Sequence, residues 1–271
     1  MSFVFGMLGL IFGSFLNVLI LRHGEKPVTG RSVCMSCGAM IHWYDLVPVF
    51  SWLALRGKCR GCGKRISMQY PLVEIATAVT FAIIGGANIP LPLIIIALPV
   101  ACLLIAIFVY DLYYMLIPDA WAYGCAGVAL LSALVGWWVY GIGQLLYILI
   151  AGPLAALPLF VLWAVSRGRW MGLGDPKLAL SFGWLLGISS GLYAVFAAFV
   201  IGAVVSVALM LITSEKGKRL IARVTHRRLS SLREGGFTMR SEVPFGPFLI
   251  ASCFLTWFAN LYGIPLPFFP W

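Results

Sequence analysis

The chain has 271 residues, 62% hydrophobic and only 10% charged, a composition that excludes an ordinary water-soluble domain. Its net charge of +10 would suit a nucleic-acid partner. The basic residues, however, collect in three segments between long apolar runs, so the charge reads as membrane topology and contact with anionic lipid headgroups, with no nucleic acid involved.

The first apolar run, Met1–Leu21, lacks a basic start and a small-residue cleavage site. It therefore reads as a retained helix rather than a removed signal peptide. It ends at Arg22. Residues 23–70 follow as a polar segment, and the domain division expected is 1–22, 23–70 and 71–271. Further spans are expected at about 71–87, 92–113, 119–140 and 144–166. Two more share 177–213, and a last one lies at 245–262. Turn signals separate them: Gly85 and Gly86 before the Pro90/Pro92 pair, Pro118 before Asp119, Gly141 with Gly143, and Gly187–Gly191. Eight of the nineteen Lys and Arg residues fall in 22–65, three in 167–177 and eight in 216–240. The positive-inside rule puts all three segments in the cytoplasm and both termini outside. The expected fold class is thus all-α, a polytopic membrane protein with about eight transmembrane helices and a small cytoplasmic zinc-binding domain between helices 1 and 2. No internal repeat is visible. The 214–243 loop has the composition of a basic amphipathic helix lying on the membrane.

Four of the seven cysteines form two Cys-x2-Cys pairs, Cys34/Cys37 and Cys59/Cys62. Two such pairs about twenty residues apart match the spacing of a structural four-thiolate zinc site. Two disulfides are the competing reading, disfavoured by the reducing cytoplasm in which the basic residues place the segment. Four thiolates complete a tetrahedral site, leaving His23 and His42 to surface or packing roles. Cys102, Cys125 and Cys253 lie within apolar runs and read as small buried hydrophobes.

Of the nine acidic residues, Asp111, Asp119 and Asp175 sit at ends of membrane helices. An ionisable group there is costly and marks function by default. Asp111 has no basic neighbour within one turn, and Asp175 lies in the glycine-rich run MGLGDPK at 171–177. Two carboxyls brought together at the membrane edge would share one proton, as aspartic peptidase chemistry requires. Helix capping is the alternative for Asp175 and the preferred reading for Asp119, which follows Pro118. A proton- or cation-linked transporter is the non-enzymatic rival. It requires aspartates near the bilayer midplane, whereas these lie near one face.

These residues also resemble a family: the bacterial prepilin leader peptidases, bifunctional GxGD-type membrane aspartic proteases of type IV pilus and type II secretion systems. The likeness rests on GSFLNV at 13–18 with Arg22 and on the two cysteine pairs. Around those pairs stand WYDLVP at 43–48, SW at 51–52 and RGKC at 56–59. It extends through YPLVE at 70–74, Asp111 with IPD at 117–119, GLGDPKL at 172–178 and PFGPFL at 244–249. Departures are His23-Gly24, Pro176 after the second aspartate and the long basic loop. The resemblance implies that Asp111 and Asp175 cleave a basic leader from prepilins and pseudopilins at the cytoplasmic membrane face. It further implies that the new N-terminus, usually Phe, is methylated with S-adenosylmethionine. No glycine motif for that cofactor is visible. Glu74, where the cysteine segment meets the second helix, is the expected acid of the methylation site, with Asn17 beside it. An ionic contact of Glu74 with Arg22 or Lys64 is the structural alternative. A GxGD peptidase acting on other helices, without methylation, is the remaining enzymatic one.

Overall fold

A computed structural model describes residues 1–24, 30–141, 144–213 and 244–265 of the chain. All its regular elements are helices: α1 Ser2–Arg22, α2 Phe50–Ala54, α3 Gln69–Gly86, α4 Leu91–Tyr114, α5 Asp119–Tyr140, α6 Leu145–Ser166, α7 Gly174–Leu186, α8 Ile188–Thr213 and α9 Gly246–Tyr262, with a 3-10 turn at Trp43–Leu46. Among the described residues, α1, α3, α4, α5, α6 and α8 are long and apolar enough to cross a membrane. The α9 helix is apolar but has 17 residues. The α7 helix has 13, about 20 Å of axis at 1.5 Å per residue. The eight expected helices are all present, and α7 is the one too short to cross a roughly 30 Å hydrocarbon layer unaided.

Local chemistry explains the boundaries. Pro90 caps α4 with Pro92 in its first turn, and Pro247 opens α9, positions where the missing N–H leaves no helical bond unmade. Gly141 and Gly263 end α5 and α9 in the left-handed conformation. The 177–213 stretch turns at Gly187 alone, since α8 already begins at Ile188 and includes Gly191. The turn marked by Gly85, Gly86 and the Pro90/Pro92 pair lies at 87–90, just past the two glycines. They complete α3 and let Phe5 and Ser2 of α1 approach it closely.

Glycines set the tightest helix contacts, as packing in lipid favours. A Cβ on Gly9 would lie 2.7 Å from the Ala78 Cα, and one on Gly13 2.6 Å from the Glu74 Cα, so α1 and α3 run against each other backbone to backbone. Gly183 meets the Ala151 carbonyl, and Gly152 meets the Trp184 ring, which seats α7 on α6. The α7 helix is enclosed by α5, α6, α8 and α9. Phe182 and Leu178 of α7 are fully buried with Leu104 and Ile107 of α4 and Leu249 and Ile250 of α9. The basic 214–243 loop and residues 266–271 of the tail lie outside the described residues.

Candidate functional site

The α1 helix ends at His23, whose ring packs on Tyr110 of α4 (5.3 Å) and Trp121 of α5 (4.4 Å). His23 therefore has a packing role, and His42 stacks on Tyr44 at 5.1 Å. The His23 contacts put the end of α1, the end of α4 and the start of α5 at one end of the bundle. Asp111 lies in the last turn of α4 and Asp175 in the first turn of α7; both are buried. The two carboxyls are close enough to act on each other electrostatically.

Three residues hold that arrangement. The Gly246 N–H, at the start of α9, donates a hydrogen bond to Asp111. A Cβ on Gly246 would lie 2.5 Å from the Asp111 Oδ2, so only glycine lets this backbone reach the carboxylate. Ile117 sits between the two segments: a Cβ on Gly174 would lie 2.9 Å from the Ile117 Cβ, and one on Gly246 3.3 Å from its Cδ1. The α4–α5 connection thus wedges between the starts of α7 and α9. Gly246 and Ile117 carry no chemistry of their own, and sequence motifs alone marked them only as parts of a resemblance.

The capping readings are corrected. The α7 helix is capped at Leu173 and α5 at Pro118, neither through a side chain, so Asp175 and Asp119 cap nothing. Asp119 instead accepts a 2.7 Å bond from the Lys177 Nζ, which also lies 5.3 Å from the Tyr123 ring centroid. Two residues past Asp175, this pair ties α7 to the start of α5.

The cysteine segment contains a repeat that the sequence did not reveal. In the first knuckle, the Gly38 N–H donates to the Cys34 carbonyl at 2.9 Å and the Cys34 N–H donates to the Ala39 carbonyl at 2.9 Å. In the second, Gly63 donates to Cys59 at 2.9 Å and Cys59 to Lys64 at 2.8 Å. Antiparallel bridges close each one, Val33 with Met40 and Lys58 with Arg65. Gly38 (φ +71) and Gly63 (φ +68) make the left-handed turn in both. The two knuckles bring four sulfurs together, all within 4.8 Å of one another, with the Cys34 and Cys62 Sγ atoms 3.9 Å apart. All four are free thiols, so the disulfide alternative is not adopted. A tetrahedron with bonds of about 2.3 Å to zinc has edges of about 3.8 Å. The cluster is compatible with structural zinc.

The cluster's electrostatics point the same way. The Cys34 thiol is pulled down to about 6, chiefly by the Ser36 and Cys37 backbone N–H groups. Cys62 receives a Lys64 N–H that lowers it, yet burial and the three neighbouring thiols push it up to about 11. Negative charge on one sulfur opposes it on the next, and a divalent cation is what allows four thiolates to coexist. Arg60 braces the segment with two bonds to Asp45, at 3.0 and 2.7 Å, and lies over the Tyr44 ring. That pairing holds the Asp45 carboxyl below its ordinary range.

Glu74 lies in α3 against Gly13 of α1 and is 6% exposed. Its Oε2 accepts the Val49 N–H at 2.7 Å, and the Ser14 hydroxyl also bonds to it. These contacts differ from the anticipated pairing with Arg22 or Lys64. The Asn17 Nδ2 donates to the carbonyls of Gly13 (3.3 Å) and Tyr70 (3.2 Å), whereas its buried Oδ1 has no partner. Cys125 and Cys253 are buried as expected, and Cys102 is half-buried.

Known proteins resemble the chain along most of its length. The bacterial peptidase A24 N-terminal domain matches residues 7–86, and the type IV leader peptidase family matches residues 96–207. A prepilin leader peptidase/N-methyltransferase of Bacillus subtilis is 30% identical over 265 residues, covering 94% of this chain and 92% of the relative. One of the same name from Myxococcus xanthus is 34% identical over 225 residues, 79% of this chain; the match spans 64% of that longer relative. The type 4 prepilin-like proteins leader peptide-processing enzyme of Escherichia coli is 34% identical over 207 residues, 66% of this chain and 74% of the relative. No solved structure matches.

Proposed function

The chain belongs to the type IV leader peptidase family, and from that premise we propose that it cleaves the leader from type IV prepilins and pseudopilins and N-methylates the new N-terminal residue. The observation that carries the peptidase half is the buried Asp111–Asp175 pair at one end of the bundle. Two carboxyls within mutual electrostatic reach hold one proton between them. The ionised one takes a proton from a water as it attacks the scissile carbonyl, and the other donates its proton to the carbonyl oxygen or leaving amine. Gly246 lets the start of α9 reach Asp111, and Gly174 lets α7 close on Ile117, which keeps the two carboxyls at one end of the bundle. The transporter alternative loses its support because both aspartates lie at helix ends rather than midway along them.

Cys34, Cys37, Cys59 and Cys62 of the two knuckles would hold a structural zinc. Four thiolates would leave such an ion no open position, so it would order the segment without taking part in either reaction. S-adenosylmethionine supplies an electrophilic methyl group to the second reaction. Glu74 and the unpartnered Asn17 Oδ1 lie on one α1–α3 seam and fit a cationic or N–H-bearing group. In this reading they orient the new amine and accept its proton. The chain divides into the first span (1–22), the cysteine segment (23–70) and a seven-helix peptidase unit (71–271). Its basic segments support a topology with the sites at the cytoplasmic face of the inner membrane and both termini outside.

Incubating the purified protein with a prepilin peptide and isotope-labelled S-adenosylmethionine tests both halves. Mass analysis should show a shortened peptide whose new N-terminus carries the label. An intact leader would remove the peptidase reading, and a shortened, unlabelled product the methyltransferase one.

A further inference from the structure

The turn that supplies Glu74 with its N–H does not behave like a water-exposed loop. Between the knuckles, residues 43–55 expose Trp43 (79%), Phe50 (62%) and Leu53 (59%), with Leu46 and Val47 also open. Val47, Pro48 and Phe50 line a hollow of about 390 Å³ whose other wall is α1, from Val4 to Ile11. Ile11 is eleven residues from the Arg22 end of α1, about 16 Å along its axis. That is roughly half of a 30 Å hydrocarbon layer. A helix that crosses the bilayer therefore brings this turn's apolar side chains well below the headgroups, whichever side Arg22 faces.

Backbone at such depth must have its polar groups satisfied within the protein. Val49 gives its N–H to Glu74, Phe50 to the Pro48 carbonyl, Ser51 to Val47 and Leu53 to Val49, and Pro48 has none to give. Val49 stands at φ +60, a conformation a β-branched residue adopts only when its surroundings impose it. Here the carboxylate of α3 anchors it. Past the wedge, the chain continues through Arg56 and Lys58, both exposed and of the charge that anionic headgroups attract.

We propose that residues 46–55 form a re-entrant membrane wedge and that a phospholipid acyl chain fills the hollow between Phe50 and α1, with Arg56 and Lys58 meeting the anionic headgroup. The occupant is lipid because the hollow opens on the outward flank of α1. Val4, Met7, Leu8 and Ile11 are all exposed there and continue into the exposed Phe3 and Phe15.

The test uses the full chain in nanodiscs of phosphatidylglycerol and phosphatidylcholine brominated midway along the acyl chains. A fluorescent amino acid is placed at Phe50 and, in a separate protein, at Lys58; a third protein carries it at Leu53 in case the first fails to fold. Quenching by the brominated lipid should be several-fold stronger at 50 or 53 than at 58, with the reverse order for aqueous iodide. Equal iodide access at all three positions overturns the proposal. So does iodide access at 50 that vanishes only when a prepilin peptide is added, which would make the hollow a peptide site. Neither result depends on cleavage or methylation, so the wedge and the enzymatic reading stand or fall separately.

Discussion

The cysteine cluster and the aspartate pair both gather groups that repel one another when ionised, and they do so by opposite means. Each knuckle is built within eight residues by its own turn, bridge and positive-φ glycine, and the two meet by docking one copy on the other. The aspartates lie on separate helices. Their approach depends on α9 reaching in through Gly246, on Ile117 wedged behind it, and on α7 seated against α6 through Gly183. The comparison shows why one site has a spacing motif and the other a dispersed one. A local site needs only its neighbours in sequence, while an assembled site needs every helix packed around it.

The sharpest test separates the two by chemistry. Asp111→Asn or Asp175→Asn should each lower leader cleavage by a factor on the order of 10³ or more, while zinc content and expression stay normal. Near-normal cleavage by either variant would sink the shared-proton mechanism. The reciprocal change, Cys34→Ser with Cys37→Ser, should remove the bound zinc measured by elemental analysis. It should reduce cleavage far less than loss of an aspartate, since the metal orders only the segment that holds it. Metal retained in full would point to other ligands.

Glu74→Gln tests the seam between the regions. Glutamine keeps an acceptor for the Val49 N–H but cannot take up a proton, so the product should be cleaved normally and carry an unmethylated N-terminus. Loss of both activities would make Glu74 a strut between the cysteine segment and α3. Methylation at the normal level would leave it without a chemical part.

Gly246→Ala probes the assembled site directly. The new methyl would meet the Asp111 Oδ2, and relief of that overlap should cost about 1–3 kcal/mol, roughly fivefold to 150-fold in cleavage, with zinc unchanged. The smallest effect is expected for Asp119→Asn. Its carboxylate is 65% exposed, and an exposed ion pair contributes at most about 1 kcal/mol, visible as a small drop in melting temperature with cleavage nearly intact.

Much of this molecule was readable in its residues. The apolar runs located every membrane helix within a few positions, because a segment that cannot leave its backbone bare in lipid has to be helical. The cysteine spacing anticipated four converging sulfurs, since two short turns suffice to converge them. The misreadings share one cause. Asp119 looked like a cap because it follows Pro118, but its partner is Lys177, fifty-eight residues away. Gly85 and Gly86 marked the end of α3 correctly, but their close contact with α1 was not legible because it joins residues about eighty positions apart. The knuckle repeat escaped notice because its two copies share little beyond Cys-x2-Cys-Gly, while their backbone hydrogen bonds are the same.

By itself the sequence determined that the chain is a bundle of membrane helices with basic segments between them, a four-cysteine cluster and two aspartates at helix ends. Composition, charge placement and short-range spacing are local quantities, and they survive in the one-dimensional record. Tertiary structure decided what each polar group faces. It set Gly246 on Asp111, Lys177 on Asp119, Val49 on Glu74, and an apolar turn beside the midpoint of α1. Those pairings join residues far apart in the chain, and they arise from how closely helices can approach where glycine removes the side chain between them.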